Sequence, residues 1–87
     1  MSRIEIVERL KQYFITEVLD GKDIGLDEST PLLEWGVINS LEIVRLLGFI
    51  QQQFGVEVPA DDITAEYFSS LLSITDLILM HEKAARP

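Results

Sequence analysis

The chain has 87 residues, room for one domain (1–87) and no second core. It contains no cysteine, so disulfides, thiolate metal sites and a cysteine nucleophile are excluded, and the fold stands on packing alone. Its formal net charge of −8 has the wrong sign for nucleic acid, whose phosphates call for clustered Lys and Arg, and for an anionic membrane surface.

The first helix is announced by Ser2 followed three residues later by Glu5, a capping-box pair. Val7, Leu10, Phe14 and Val18 then recur at helical spacing, with Ile4 and Leu19 in support, and predict a helix from about Arg3 to Val18. A long connection follows, from Leu19 to Ile38. It opens on turn chemistry in Asp20-Gly-Lys-Asp-Ile-Gly. Thr30 as a cap, Pro31 at a first helical position and Gly36 as a stop predict about one helical turn across Pro31 to Trp35. Leu32, Leu33 or Trp35 would pin that turn to the core. Long connections with internal order are commonly functional.

Asn39 supplies the clearest helix start in the chain. Glu42 completes a capping box with it, and Ile38 and Ile43 are placed to staple the entry. The second helix runs through Phe54 to a stop at Gly55, with Ile43, Leu46, Leu47, Ile50 and Phe54 inward. Leu41, Val44 and Gly48, at i, i+3 and i+7, fall on a different face. The helix therefore carries more apolar surface than one core stripe requires: it is buried on two sides, or its second face meets partners.

Val56 to Pro59 reads as extended. Asp61, Asp62 and Thr64 offer caps for a short third helix through Phe68. Ser70 starts a last helix ending near Glu82, with Leu71, Ile74, Leu77 and Ile78 inward and Met80 as a further candidate. The expected fold is all-α: a small four-helix bundle of three main helices and one short helix, with a long first loop. Short inter-helix connections favour antiparallel neighbours.

Catalytic constellations are scarce. His81 is the only histidine, and its place in the last turn of the last helix suits an imidazolium against the helix dipole. Asp61-Asp62 reads more simply as caps than as a paired carboxylate. One histidine and no cysteine give no metal-ligand cluster, so an enzyme is not expected. Ser40 differs by position. Behind an Asn39 cap it is the first helical residue, at the positive end of the dipole, where free backbone N–H groups favour an attached phosphate. Serine at helix starts is common, and alone the position reads as a solvated hydroxyl.

Five of the seven bases, Arg3, Arg9, Lys11, Lys83 and Arg86, lie near the ends. Between them only Lys22 and Arg45 interrupt twelve acids running from Glu17 to Asp76. That middle suits steering toward basic partners, although charge alone favours the plainer role of keeping the protein soluble. The N-terminus carries charges where a secretory signal needs an apolar stretch, and Asp76 breaks the most apolar region. A cytoplasmic protein is expected.

The stretch Gly36-Val-Ile-Asn-Ser-Leu-Glu-Ile-Val-Arg-Leu-Leu resembles the attachment motif of acyl and peptidyl carrier proteins. That motif has a glycine, two apolar residues, usually Asp, then Ser-Leu at the start of helix two. The resemblance runs along the whole chain, through the Thr-Pro-Leu segment of the loop, Phe-Gly-Val-Glu-Val-Pro, a short helix and a last helix. It implies that Ser40 bears a covalent 4′-phosphopantetheine, transferred from coenzyme A by a separate phosphopantetheinyl transferase using magnesium. The arm's terminal thiol would hold cargo as a thioester and raise its local concentration at each docked enzyme. It also implies docking through Leu41, Val44 and Gly48, joined by Ile38, Asn39 and Arg45, with Ile63, Tyr67 and Phe68 of the short helix flanking the arm.

Two departures qualify the match. Asn39 stands where aspartate is usual; it caps equally well, but the missing charge bears on magnesium or transferase contacts during loading. Positions 40 to 54 hold only Glu42 and Arg45 as charges, with Gln51, Gln52 and Gln53 where fatty-acid carriers have acids. This is similar to the peptidyl or aminoacyl carriers of nonribosomal peptide biosynthesis. The run Thr30-Pro-Leu-Leu-Glu-Trp-Gly-Val-Ile-Asn-Ser resembles discrete prolyl carrier proteins of pyrrole-forming natural-product pathways. That likeness implies an adenylating or acyl-loading ligase, a flavin dehydrogenase, and further tailoring or condensing enzymes as partners. A monomer meeting its enzymes transiently is expected. The alternative is an unmodified helical adaptor that binds through the Leu41, Val44, Gly48 face.

Overall fold

Helix α1 (Arg3–Tyr13) begins at Ser2, whose Oγ accepts the Glu5 N–H at 3.2 Å. In this computed structural model, residues 2–22 and 25–85 are described, without the side chains of 83–85. Asp23 and Ile24 of the expected turn, and Arg86 near the end, lie outside the described residues. Past Tyr13 the helix widens into a π turn over Phe14–Val18, in which the Leu19 N–H reaches the Phe14 carbonyl at 2.8 Å. Ile6, Leu10, Tyr13 and Phe14 are buried, and Val7 and Val18 are half-buried. Ile4, expected to support the stripe, is exposed. The buried arc centres on Ile6, Leu10 and Tyr13, and Ile4 lies well outside it at 100° per residue.

The chain reverses through Asp20 at φ +56 and Gly21 at φ +83, with the Gly21 N–H closing on the Ile15 carbonyl at 2.7 Å. The long loop is then tied to the start of the last helix. The Leu32 N–H donates to the Ser69 carbonyl at 2.8 Å, and the Leu72 N–H to the Glu28 carbonyl at 3.0 Å. Thr30 acts differently from the forward cap expected of it. It is buried, and its Oγ1 accepts the Asp27 N–H at 2.8 Å, closing the turn behind it. The turn over 31–36 ends in a Schellman arrangement. The Val37 N–H meets the Leu32 carbonyl at 2.9 Å and the Gly36 N–H the Leu33 carbonyl at 3.2 Å, with Gly36 at φ +69. Leu32, fully buried, is the pin; Trp35 is 54% exposed and anchors nothing.

Helix α2 (Ser40–Phe54) buries Leu46 and Ile50, holds Ile43, Leu47 and Phe54 half-buried, and stops at Gly55 at φ +67. The short third helix takes a different form from that expected. A 3₁₀ turn occupies Ala60–Asp62, Ile63 leaves helical space at ψ 80, and a separate turn closes with the Phe68 N–H on the Thr64 carbonyl at 3.1 Å. Thr64 does serve as a cap, its Oγ1 accepting the Tyr67 N–H at 3.3 Å. Helix α3 (Leu71–Ala85) starts from a reciprocal serine pair: the Ser73 N–H donates to Ser70 Oγ at 3.2 Å, and the Ser70 N–H to Ser73 Oγ at 3.1 Å. Leu71, Ile74, Leu77 and Ile78 are buried, whereas Met80 is 44% exposed and outside the inward face.

The architecture is all-α, with three main helices, one short 3₁₀ turn and no strand among the described residues. Helices α1 and α2 both pack on α3, and an Arg3–Asp76 ion pair joins α1 to α3 at the surface. His81 is not merely set against the α3 dipole. Its Nε2 lies 2.7 Å from Asp62 Oδ2, so Asp62 ties the 3₁₀ turn to α3 rather than capping a following helix. The consequence of this packing is a long loop held at both ends, with the start of α2 presented at its rim.

Candidate functional site

The site grows from the Asn39–Ser40 junction. Asn39 is extended at φ −131, and its Oδ1 accepts the Glu42 N–H at 3.0 Å, while its carbonyl accepts the Ile43 N–H at 2.9 Å. These two bonds leave the N–H groups of Ser40 and Leu41 without an intrahelical partner. Ser40 itself is exposed. Glu42, the acid in the first turn, does not complete the expected box with Asn39; its carboxylate pairs with Arg45 Nη1 at 3.3 Å. Arg45 also reaches Glu17 on the π turn, at 3.7 Å.

An anionic phosphoester on Ser40 fits this arrangement. Two N–H groups without an intrahelical partner lie at the positive end of a 15-residue helix, the preceding side chain is a neutral amide, and the Glu42 carboxylate of the first turn is paired with a guanidinium. Among the described residues, no group of three or more His, Cys, Asp or Glu is placed to hold a metal ion. No described helix is long and apolar enough to cross a membrane.

A family model for the phosphopantetheine attachment site matches residues 8–78, from within α1 into α3 and across Ser40. The chain belongs to the phosphopantetheine-attachment family. The chain is 31% identical over 70 residues to the Serratia sp. (strain ATCC 39006) protein named Probable acyl carrier protein PigG, covering 80% of each. It also superposes with a TM-score of 0.75 and 38% identity on a chain in the crystal structure of an FAD-dependent dehydrogenase, covering 79% of this chain and 97% of that one. Phosphopantetheine is the group that this family attaches.

Within this family member the expected docking residues fall into three sets. Leu41 is 67% and Val44 64% exposed, and Asn39, Arg45, Gly48 and Ile63 are also exposed. Tyr67 is half-buried. Ile38 and Phe68 are in the core, so they can only shape this face from beneath. Leu41 and Val44 resolve the surplus apolar surface of α2: that face is open.

Three features of the site escape sequence reading. Trp35 is an exposed aromatic rather than an anchor of the loop. Tyr13 and Phe49 stack at 4.3 Å between centroids, although nothing in the sequence links positions so far apart. An open groove between the first two helices is built over them, with Arg9 reaching Gln53 at 3.2 Å across it.

Gly48 is an exposed glycine in a helix interior where a Cβ would meet nothing within 4 Å. Gly48→Ala should raise stability by about 1 kcal/mol, a Tm increase of roughly 4–8 °C by thermal melting. Asn39→Ala should lower stability by a similar ~1 kcal/mol, because the Glu42 N–H loses its acceptor. Asn39→Asp should leave the melting temperature nearly unchanged.

Proposed function

We propose that Ser40 bears the 4′-phosphopantetheine and that the chain is a discrete carrier presenting an aminoacyl or acyl thioester to the enzymes of a biosynthetic pathway. The observation that carries this reading is the exposed Ser40 hydroxyl at the first residue of α2, inside the span of the attachment-site model. In loading, Ser40 Oγ attacks the coenzyme A phosphorus that bears the pantetheine. A P–O bond to Ser40 forms, the phosphoanhydride bond breaks, and adenosine 3′,5′-bisphosphate leaves. The hydroxyl proton passes to a base of the transferase, which also holds the magnesium. The bound arm supplies a thiol for the thioester.

This chain's own residues hold and present. Asn39 fixes the α2 start, the Ser40 and Leu41 N–H groups receive phosphate charge, and Leu41, Val44 and Gly48 offer a docking face with Ile63 and Tyr67 beside it. The acidic surplus favours partners with basic rims and a monomeric carrier, and coenzyme A-dependent loading favours the cytoplasm. For cargo we favour proline in a pyrrole-forming, nonribosomal-type pathway, loaded by an adenylating ligase and oxidised by a flavin dehydrogenase. Two things support it: the Thr30–Ser40 run, and the 38% identical chain from the FAD-dependent dehydrogenase crystal. That chain, at about 70 residues, is as short as this one and smaller than a flavin-enclosing domain is expected to be.

The test is intact-protein mass after incubation with coenzyme A, magnesium and a broad-specificity phosphopantetheinyl transferase, then with ATP, proline and an adenylating ligase. A gain of one phosphopantetheine, then of one prolyl group, is the expected result. No first gain with several transferases would sink the carrier reading; a first gain without the second would remove only the cargo. Asn39→Asp should load faster than the native chain, because it supplies the charge that the attachment motif usually carries before the serine.

A further inference from the structure

The segment that carries Ile63 is barely held by the core. Residues 59–66 contribute no side chain to the hydrophobic core, and all of them except Asp62 are exposed. Buried anchors lie only outside it, Val56 before and Phe68 after. Its own hydrogen bonds are local: the Asp62 N–H meets the Pro59 carbonyl, the Ile63 N–H the Ala60 carbonyl, and the Phe68 N–H the Thr64 carbonyl. Among the described residues, one polar contact joins 59–65 to the rest of the bundle, the 2.7 Å bond between Asp62 Oδ2 and His81 Nε2. A carboxylate oxygen accepts, so His81 donates from Nε2. Both side chains are largely shielded from solvent, where such a charge-assisted bond holds more firmly than at the surface.

The geometry makes this bond a second anchor. Phe68 lies just before α3, and from Leu71 to His81 that helix rises about 15 Å. The chain from Asp62 to Phe68 reaches on the order of 20 Å when extended. The segment therefore runs back along α3, fixed by Phe68 at one end and by Asp62 at the other. Tyr67 is placed by its neighbour Phe68 in the core. Ile63 has no such neighbour. It follows Asp62 directly, is exposed, and leaves the 3₁₀ turn at ψ 80, so its place on the surface depends on where Asp62 is held.

We propose that His81 is a positioning residue for docking: through Asp62 it holds Ile63 in one place before a partner enzyme arrives. The loading enzyme then meets a preformed contact and does not bear the cost of ordering the segment. Ser40 and its Asn39 cap make no contact with this pair, so cutting the bond weakens the encounter and leaves the transfer step alone. The inference rests on the carrier reading and on Ile63 as one of its docking contacts.

The experiment measures backbone 15N order parameters and the steady-state kinetics of phosphopantetheine transfer for four variants beside the native chain. His81→Phe fills the place of the ring without a donor, Asp62→Ala removes the acceptor, the third variant combines the two, and His81→Gln returns a donor. In both single deletions the order parameters of 61–64 should fall from about 0.85 toward about 0.6 while those of the helices hold. The KM for the carrier should rise roughly three- to tenfold, the scale of ordering a side chain on binding, with kcat unchanged. The double variant should match the single ones, and His81→Gln should restore both readouts. Unchanged order parameters, or an unchanged KM, in a native background that loads normally overturn the positioning role and leave the carrier reading intact. A further rise in KM in the double variant also overturns it, because Asp62 would then meet the partner itself. If His81→Phe does not fold, Asp62→Ala, on an exposed segment outside the core, decides the same question. A native chain that gains no phosphopantetheine overturns the carrier reading and this inference together.

Discussion

Ser40→Ala should abolish phosphopantetheine attachment outright, with no mass gain under conditions that convert the native chain completely. The same variant should keep its fold. Ser40 is exposed, its side chain makes no hydrogen bond among the described residues, and alanine suits the first turn of a helix, so the change in stability should stay within about 0.5 kcal/mol. The variant separates two functional classes because docking and loading depend on different atoms. A carrier loses all transfer activity while its apolar face, Leu41 and Val44, still binds a ligase. An unmodified adaptor would lose nothing measurable. Calorimetric binding of the ligase, set beside the mass result, distinguishes these outcomes.

Leu32→Ala should cost about 2–5 kcal/mol, against almost nothing for Trp35→Ala. Leu32 is fully buried, and its backbone is bonded at both ends, to Ser69 and to Val37. Truncating it opens a cavity under the loop that positions Asn39. In a domain this small, with no disulfide, such a loss consumes much of the total stability. The loop should then exchange its amide hydrogens faster across 26–38 even where the helices persist. Equal effects at Leu32 and Trp35 in chemical denaturation would mean that the loop is pinned by something other than Leu32.

The contrast between these two residues shows where sequence reasoning reached its limit. Both are large and apolar, both lie in the same turn, and local pattern gives no ground for ranking them. The choice depends on which side of the turn faces α3, and that is set by the Leu32–Ser69 and Leu72–Glu28 hydrogen bonds, contacts between distant parts of the chain. Ile4 and Met80 failed as core residues for a different reason: at 100° per residue each lies well outside the buried arc of its own helix, so both end in solvent. The short third helix missed for a local reason: Pro59 and Ile63 take non-helical ψ values on either side of Ala60–Asp62, so no continuous helix can form.

By itself the sequence determined the helix starts at Ser2, Asn39 and Ser70, the stops at Gly36 and Gly55, and the place of Ser40 behind its cap. Those features are short-range: a side-chain oxygen reaches an N–H three residues on, or a glycine adopts positive φ, and neighbours in the chain suffice. It also marked Leu41 and Val44 as surplus to the core, because helical periodicity separates the two faces of α2 without reference to anything else. Tertiary structure alone decided which loop residue is buried, that Asp62 meets His81, that Arg45 reaches Glu17, and that Tyr13 and Phe49 form the floor of a groove. Each of those joins groups brought together by helix packing, and packing geometry is a property of the assembled surfaces rather than of any one segment.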